Sequence, residues 1–357
     1  MTKRTIKTTK TKTNEFVRAP VVVSTGCPRG IGPEVSVTAA YKLKNTVSTV
    51  LVGHRPVLEA AARLRKVPAR FISNAPPFDP AAYLQPGAPL LSIVDPGPTL
   101  SSDERRLGRP QAEDGVAQLN YVEHAYRLAK QWGWAMTTGP VSKEVIAHCG
   151  LKRATKFLGH TEWLEAMDQA PYSVMCFYSP QLTCSLVSTH VPVRRLSKLL
   201  SAELVLSATL ELYDLVARLG TKKPTLAVCS LNPHAGEGEL LGTEERTAIM
   251  PGVKLAQERL GRKADIVGPI GAETAFRKAS VGQFDAVVAM YHDQATIPMK
   301  MVAFGDAVNV TQGLSIVRTS VDHGTAYDIA KLGVADEKGM MAALVLAQRL
   351  LVSRRKI

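Results

Sequence analysis

From Pro20 onward, short β-branched runs alternate with amphipathic stretches, and that alternation is the rhythm of an α/β protein built on a largely parallel sheet. Runs of this kind predict strands over Val21–Thr25, Ser48–Val52, Leu90–Val94, Trp134–Thr138, Ser173–Phe177, Leu182–Ser188, Thr225–Ser230, Ala286–Met290 and Ser315–Arg318. Helical periodicity predicts Pro33–Leu43, Pro56–Leu64, Gly115–Gln131, Ala202–Leu219, Glu244–Leu260 and Lys338–Val352. Residues 73–112, rich in proline and glycine, read as a surface excursion around the single strand Leu90–Val94. At 357 residues the chain exceeds one typical domain, so two lobes around a shared cleft are expected.

Composition narrows the function classes. Hydrophobic residues make up 45% and charged residues 21%, the mixture of an ordinary globular protein. No apolar run approaches the ~18–20 residues that span a bilayer, and the basic, threonine-rich start lacks the ~7–15-residue apolar block of a secretory signal. Five cysteines, Cys27, Cys149, Cys176, Cys184 and Cys229, are an odd number without a CxxC pair, which points to a reducing cytoplasm. The net charge of +13 raises nucleic acid as a partner, but no RNP, zinc-finger or helix-turn-helix signature accompanies it. Lys3, Arg4, Lys7, Lys10 and Lys12 concentrate part of that charge in a tail, residues 1–16, expected to be disordered.

Several clusters can carry chemistry. Gly26-Cys-Pro-Arg-Gly-Ile-Gly-Pro-Glu34 is a glycine-rich strand-to-helix turn that matches neither GxGxxG nor the P-loop, and reads equally as an anion cradle or a tight structural turn. Thr137-Thr-Gly-Pro-Val-Ser-Lys143 ends a strand where open α/β sheets place ligands, so Lys143 is either a general acid or base or a solvated lysine. His190, His234 and His292 each follow a predicted strand end and could converge on one rim as a metal site, or each could bond a loop backbone. His160 lies apart from them, as a loop residue ahead of a helix. Lys300, Asn309 and Arg318 offer anion-binding groups of different geometry, or a solvated basic face. In Ser320-Val-Asp-His-Gly-Thr325, glycine and threonine suit helix capping as well as nucleotide contact.

Taken in order, GxPxGIGPE, TGPVSK, LGHTE, THVP, LNPHAGEGE, MYHDQ, IPMK, VNVT and RTSVDHGTAYDIA resemble the 4-hydroxythreonine-4-phosphate dehydrogenase family of vitamin B6 biosynthesis over roughly residues 20 to 350. The resemblance implies a two-lobed α/β fold of the isocitrate/isopropylmalate-dehydrogenase kind, with 17–140 plus 305–357 in the first lobe and 141–304 in the second. It implies a homodimer whose cleft takes histidines from both subunits, and NAD held without a Rossmann fingerprint. By position in matching motifs, His190, His234 and His292 correspond to ligands of one divalent ion (Zn, Mg or Co), and His160, Thr161, Lys300, Asn309 and Arg318 to substrate-binding positions. His323, Gly324, Thr325 and Asp328 correspond to the cofactor loop of the wider superfamily. Lys143 and Asp293 are the groups expected to move protons.

The implied activity is NAD-dependent oxidation and decarboxylation of a small phosphorylated hydroxy acid, 4-phosphohydroxy-L-threonine. The alternatives are D-threonate or D-erythronate 4-phosphate and an aromatic dihydrodiol dicarboxylate. Two departures from the family's usual pattern bear on the fine substrate: Cys27 stands at a commonly acidic position, and Gly271-Ala-Glu-Thr274 carries Glu273 where aspartate is usual.

Overall fold

Valine-rich runs form strands here because β-branched side chains suit a pleated surface buried on both faces. A computed structural model of the protein describes residues 19–73, 90–100, 106–303 and 305–354; the tail expected over 1–16 and part of the proline-rich excursion lie outside the described residues. The first stretch alternates β1 (Val21–Ser24), α1 (Gly32–Leu43), β2 (Thr49–Val52), α2 (Arg55–Leu64), β3 (Arg70–Ser73), β4 (Leu90–Val94), α3 (Ala112–Trp132) and β5 (Ala135–Thr138). Then come α4 (Lys143–Ala147), α5 (His160–Asp168), β6 (Val174–Tyr178), β7 (Thr183–Leu186), α6 (Leu196–Leu199), α7 (Ala202–Arg218), β8 (Thr225–Cys229) and α8 (Met250–Leu260). The chain closes with β9 (Asp265–Ile270), α9 (Ala272–Ser280), β10 (Ala286–Ala289), α10 (His292–Val302), β11 (Val308–Gln312), β12 (Val317–Ser320) and α11 (Lys338–Arg354).

These strands join one sheet in the order β3-β4-β2-β1-β5-β12-β11-β6-β7-β10-β8-β9. Only β12–β11, β11–β6 and β6–β7 are antiparallel among the described pairings, as the alternating rhythm requires of the rest. One parallel block therefore holds β1 to β5 with β12, another holds β7, β10, β8 and β9, and β11 and β6 stitch the two together. Residues of β1, β5 and β10 are wholly buried, the mark of strands covered by helices on both faces. On α11, Met340, Ala343, Leu344, Ala347 and Leu350 recur at helical spacing with no exposure, packing that face against β5, β11 and β12. All five cysteines are buried free thiols, filling the core as small apolar groups. No helix among the described residues is long and apolar enough to cross a membrane.

The differences from expectation have physical causes. β9 carries the Gly268-Pro269 pair, which reads as a turn; it forms the sheet edge, where a residue without an N–H is tolerated. Pro298 inside α10 hid that helix, and the polar residues of β11 hid a strand. The helix expected over Glu244–Leu260 opens with a single π-helical turn, Glu245–Ile249, before α8. Ser315–Arg318 shifts to Val317–Ser320, and His160 opens α5 rather than preceding a helix.

Candidate active site

The seam between the two blocks forms the floor of a cleft. Register places Asn309 of β11 opposite Phe177 of β6 and Ser320 of β12, and Thr311 opposite Met175 and Arg318. Residues directly opposite each other project to one face, so two rows of side chains cross the seam. All of them except Thr311 line a cleft of about 210 Å³. Its wall is the first turn of α5, with His160, Thr161 and Glu162, together with Lys143, His190 and His292. Lys143 opens α4, which Ser142 caps by accepting from the Val145 N–H at 3.2 Å. Gly159 lets the backbone pass close to Glu162 and Lys143, since a Cβ there would stand 2.8 Å from Glu162 Oε2 and 3.5 Å from Lys143 Nζ.

Two buried arginines differ in how their charges are met. Arg29 is 1% exposed and its Nε donates to Asp114 Oδ1 at 2.9 Å, so its charge is neutralised inside the fold. Arg318 is 2% exposed, yet among the described residues no carboxylate pairs with it. Its two terminal nitrogens donate to the Thr311 and Thr138 hydroxyls at 2.8 and 2.6 Å, and its Nε has no partner. Burial lowers its pKa to about 10, with the Glu162 charge opposing. A buried cation without a counter-charge needs an anion to complete it. His160 Nε2 and Asn309 Oδ1, which also line the cleft, are likewise buried without partners. Burial, and then the charges of Arg318 and Lys143, hold the His160 imidazole well below its ordinary pKa. His160 is therefore a neutral ring, set edge-on to Phe157 with centroids 6.1 Å apart.

His190 and His292 follow β7 and β10, neighbouring parallel strands, and their ring centroids are 5.9 Å apart. In each ring Nδ1 is already engaged, with Glu162 Oε1 at 2.9 Å and Asp293 Oδ1 at 2.7 Å. A carboxylate on Nδ1 fixes the ring and leaves Nε2 as the available nitrogen, the arrangement of metal-ligating histidines. The His190 bond is also the main cause holding the Glu162 carboxyl below its usual range. His234 follows β8, the next strand of the rim, but is exposed and does not line this cleft. It begins a run of left-handed residues, with φ of 51° at His234, 54° at Ala235 and 43° at Glu237. The carboxylate of Glu245 holds that run by accepting from the Leu231 and Asn232 N–H groups at 2.9 and 2.8 Å. Among the described residues, no three histidine, cysteine or acidic side chains gather to hold a metal ion.

Other expected residues lie around this centre. Lys300 is exposed on α10, and its charge opposes the rise that burial imposes on the Asp322 pKa. Asp293 lies outside the cleft lining, with its carboxylate on His292. His323, Gly324, Thr325 and Asp328 belong to the loop that leaves β12, and His323 Nε2 is buried without a partner. The glycine-rich turn packs against that loop: the Ile31 N–H donates to the Thr325 carbonyl, and the Cys27 N–H to that of Pro140. With these donors occupied, and a Cβ on Gly26 only 2.3 Å from Pro140 O, the turn is a structural clasp rather than an anion cradle. Neither departure lines the cleft: Cys27 Sγ lies 3.3 Å from Tyr327 Oη, and Glu273 sits exposed on α9 beside Arg277. Sequence reasoning missed Glu162 and Asp322, whose only signals were their places one α-helical step from Thr161 and four residues past Arg318.

Known proteins of similar sequence share this architecture. The chain is 35% identical to a 4-hydroxythreonine-4-phosphate dehydrogenase of Trichlorobacter lovleyi, covering 94% of this chain and 98% of that one. It is 36% identical to a D-threonate 4-phosphate dehydrogenase of Cupriavidus necator, covering 91% and 95%. The crystal structure of 4-hydroxythreonine-4-phosphate dehydrogenase from Klebsiella pneumoniae superposes with a TM-score of 0.78 at 30% identity, over 93% of this chain and 99% of that one. Residues 45–347 match the family model of the pyridoxal phosphate biosynthetic protein PdxA, and with the relatives just described this shows that the chain belongs to the PdxA family of dehydrogenases.

Proposed function

We propose that this chain oxidises 4-phosphohydroxy-L-threonine at its 3-hydroxyl with NAD and promotes loss of the carboxylate, yielding 3-amino-2-oxopropyl phosphate for pyridoxal phosphate synthesis. The observation that carries this reading is Arg318, a buried guanidinium that no carboxylate pairs among the described residues, facing a cleft that also presents two carboxylate-oriented histidines. One end of such a site suits an anionic group and the other a chelating one.

His190 and His292 would hold a divalent ion through Nε2, with the partner subunit's His234 completing the set in a cytoplasmic homodimer. The donors fit, since both rings have Nδ1 committed and His234 is exposed on a strained loop outside its own cleft. The loop of His323, Gly324, Thr325 and Asp328 is the cofactor-binding segment in this reading, with the His323 Nε2 atom available to a ligand. When bound, the ion would supply Lewis acidity at the substrate hydroxyl and at the charge left by decarboxylation, and NAD would supply the hydride acceptor. Arg318, Asn309 and Lys300 bind an anionic end of the substrate, and neutral His160 with Thr161 donates hydrogen bonds to it. Lys143 takes the hydroxyl proton and returns one to the product carbon, while Asp293 keeps the His292 ring oriented. The partition into lobes 17–140 plus 305–357 and 141–304 belongs to the same reading, with the cleft between them.

NADH formation with 4-phosphohydroxy-L-threonine, with its dephosphorylated form, and after chelation tests the reading. A charge-assisted hydrogen bond contributes roughly 1.5–3 kcal/mol, so loss of the phosphate should lower kcat/KM at least about tenfold. Equal turnover of the unphosphorylated compound would promote the dihydrodiol alternative, and full activity after exhaustive chelation would remove the metal from the mechanism.

A further inference from the structure

Two carboxylates line the cleft, Glu162 and Asp322. Glu162 is committed to His190. The Asp322 carboxylate is half-buried and forms no hydrogen bond or ion pair with any described residue. It follows β12, where Arg318 and Ser320 already line the cleft at alternate positions; a Val321 N–H to Thr138 O bond of 3.4 Å carries the pairing one residue past the strand end, and Asp322 stands at the bend that follows. All three line the same cleft, so Arg318, Ser320 and Asp322 form one strip of it with a cation at one end and an anion at the other. Four residues of chain let the two Cα atoms stand at most about 13 Å apart.

We propose that Asp322 is the specificity-determining residue for a 2-ammonium group on the substrate, selecting an amino acid phosphate over the corresponding 2-hydroxy acid. This deepens the proposed function and rests on it. The phosphorylated candidates share a carboxylate, a phosphate and a 3-hydroxyl, and carry an ammonium or a hydroxyl at carbon 2. A carboxylate repels the two anionic ends and gains little from a neutral hydroxyl. An ammonium at carbon 2 is the substrate group that a free carboxylate attracts, through a charge-assisted bond roughly twice as strong as a neutral one. Burial raises the Asp322 pKa, so an incoming cation also relieves the cost of keeping the carboxylate ionised. Cys27 and Glu273 lie outside the cleft lining, whereas Asp322 belongs to it.

The test compares wild type, Asp322→Asn and Asp322→Glu on 4-phosphohydroxy-L-threonine and on its 2-hydroxy counterpart of the same configuration, at saturating NAD. Wild type should prefer the amino substrate. Asp322→Asn should lose roughly tenfold to hundredfold in kcat/KM on it and stay within about threefold on the hydroxy form, which doubles as the control for folding. Calorimetric Kd for the amino substrate should weaken in proportion, and Asp322→Glu should recover part of the preference. Equal losses on both substrates, an unchanged preference, or a wild type that favours the hydroxy form overturns the inference while leaving a phosphorylated-acid dehydrogenase in place. A wild type that oxidises neither compound overturns the proposed function and the inference together.

Discussion

Replacing Arg318 with methionine separates a ligand-binding arginine from a structural one. At neutral pH, a pKa lowered by burial to about 10 from 12.5 corresponds to a penalty on the order of 3 kcal/mol for the charged group in the empty protein. The penalty is fully present below the folded pKa and disappears only as pH rises through the unfolded value, so it is constant across the working range. Against it stand two hydrogen bonds to Thr311 and Thr138, worth about 1–1.5 kcal/mol each. The two sides nearly cancel, so Arg318→Met should unfold within about 1–2 kcal/mol of wild type, or be slightly more stable. Arg29→Met removes one of two arginines on the buried Asp114, which keeps Arg106 Nη2 at 3.1 Å and the Gln111 N–H at 2.8 Å, and should cost about 1.5–3 kcal/mol. Function should invert the order: Arg318→Met loses at least about tenfold in kcat/KM and the thermal stabilisation that phosphorylated substrate gives wild type. Denaturant melts with and without substrate, alongside initial rates, read both. An Arg318→Met protein that is severely destabilised yet still stabilised by substrate would refute the anion-site reasoning.

His190→Ala or His292→Ala should abolish binding of about one divalent ion per active site, while Glu162→Gln should weaken it roughly tenfold to hundredfold by releasing the His190 ring, both read by metal analysis and competition with a chelator. His160 stays neutral where an unfolded histidine takes up a proton, so stability from this group is present above about pH 6.5 and is lost as pH falls below it, by up to about 1.4 kcal/mol per pH unit until the depressed folded pKa is reached. His160→Gln should flatten that part of the profile, and an unchanged slope would show that the ring titrates normally. Glu245→Ala leaves the Leu231 and Asn232 N–H groups unpaired, at about 1–3 kcal/mol each, and amide exchange there should accelerate ahead of the rest of the sheet.

The parts of the fold that sequence reveals are those where local pattern and tertiary role agree. Val21–Ser24 and Ala286–Ala289 are apolar because both faces are covered, and they read as buried strands. β11 did not, because Asn309 and Gln312 answer to the cleft and to α7 rather than to the core: Gln312 Nε2 donates to the Glu211 carbonyl at 3.2 Å. The same division holds in the site. His190 and His292 were legible from strand-end placement, since topology alone sets those positions side by side. His234 shares the rim by topology, but its left-handed loop carries it out of the cleft, and no periodicity encodes that turn. Glu162 owes its role to a partner more than 25 residues away, and Asp322 to its place in the cleft wall beside the charges of Lys300 and His292, neither of which a local motif records.

The position of the cleft follows from how the chain returns. After building the second block it re-enters the first through β11 and β12, joined by a short turn in which Gly313 takes φ of 88°. Crossing back in this way reverses strand direction at the seam, so β11 is antiparallel to both neighbours. Antiparallel register sets Asn309 beside Ser320 and Thr311 beside Arg318, and thereby fixes the groups proposed to bind an anion on rigid backbone. β12 runs on through Asp322 into the loop from His323 to Asp328, so Arg318 and the segment proposed for the cofactor lie on one short stretch of chain. Shifting β12 by a single residue would turn Arg318 to the opposite face and remove Ser320 and Asp322 from the floor with it. The core face of α11 opposes such a slip, since Thr319 Oγ1 donates to the Ala343 carbonyl at 3.0 Å and lies 2.8 Å from Thr137 Oγ1. Thr319→Val should therefore reduce substrate binding and catalysis together without touching the cleft, whereas a loss of stability with unchanged kcat/KM would place the register lock elsewhere.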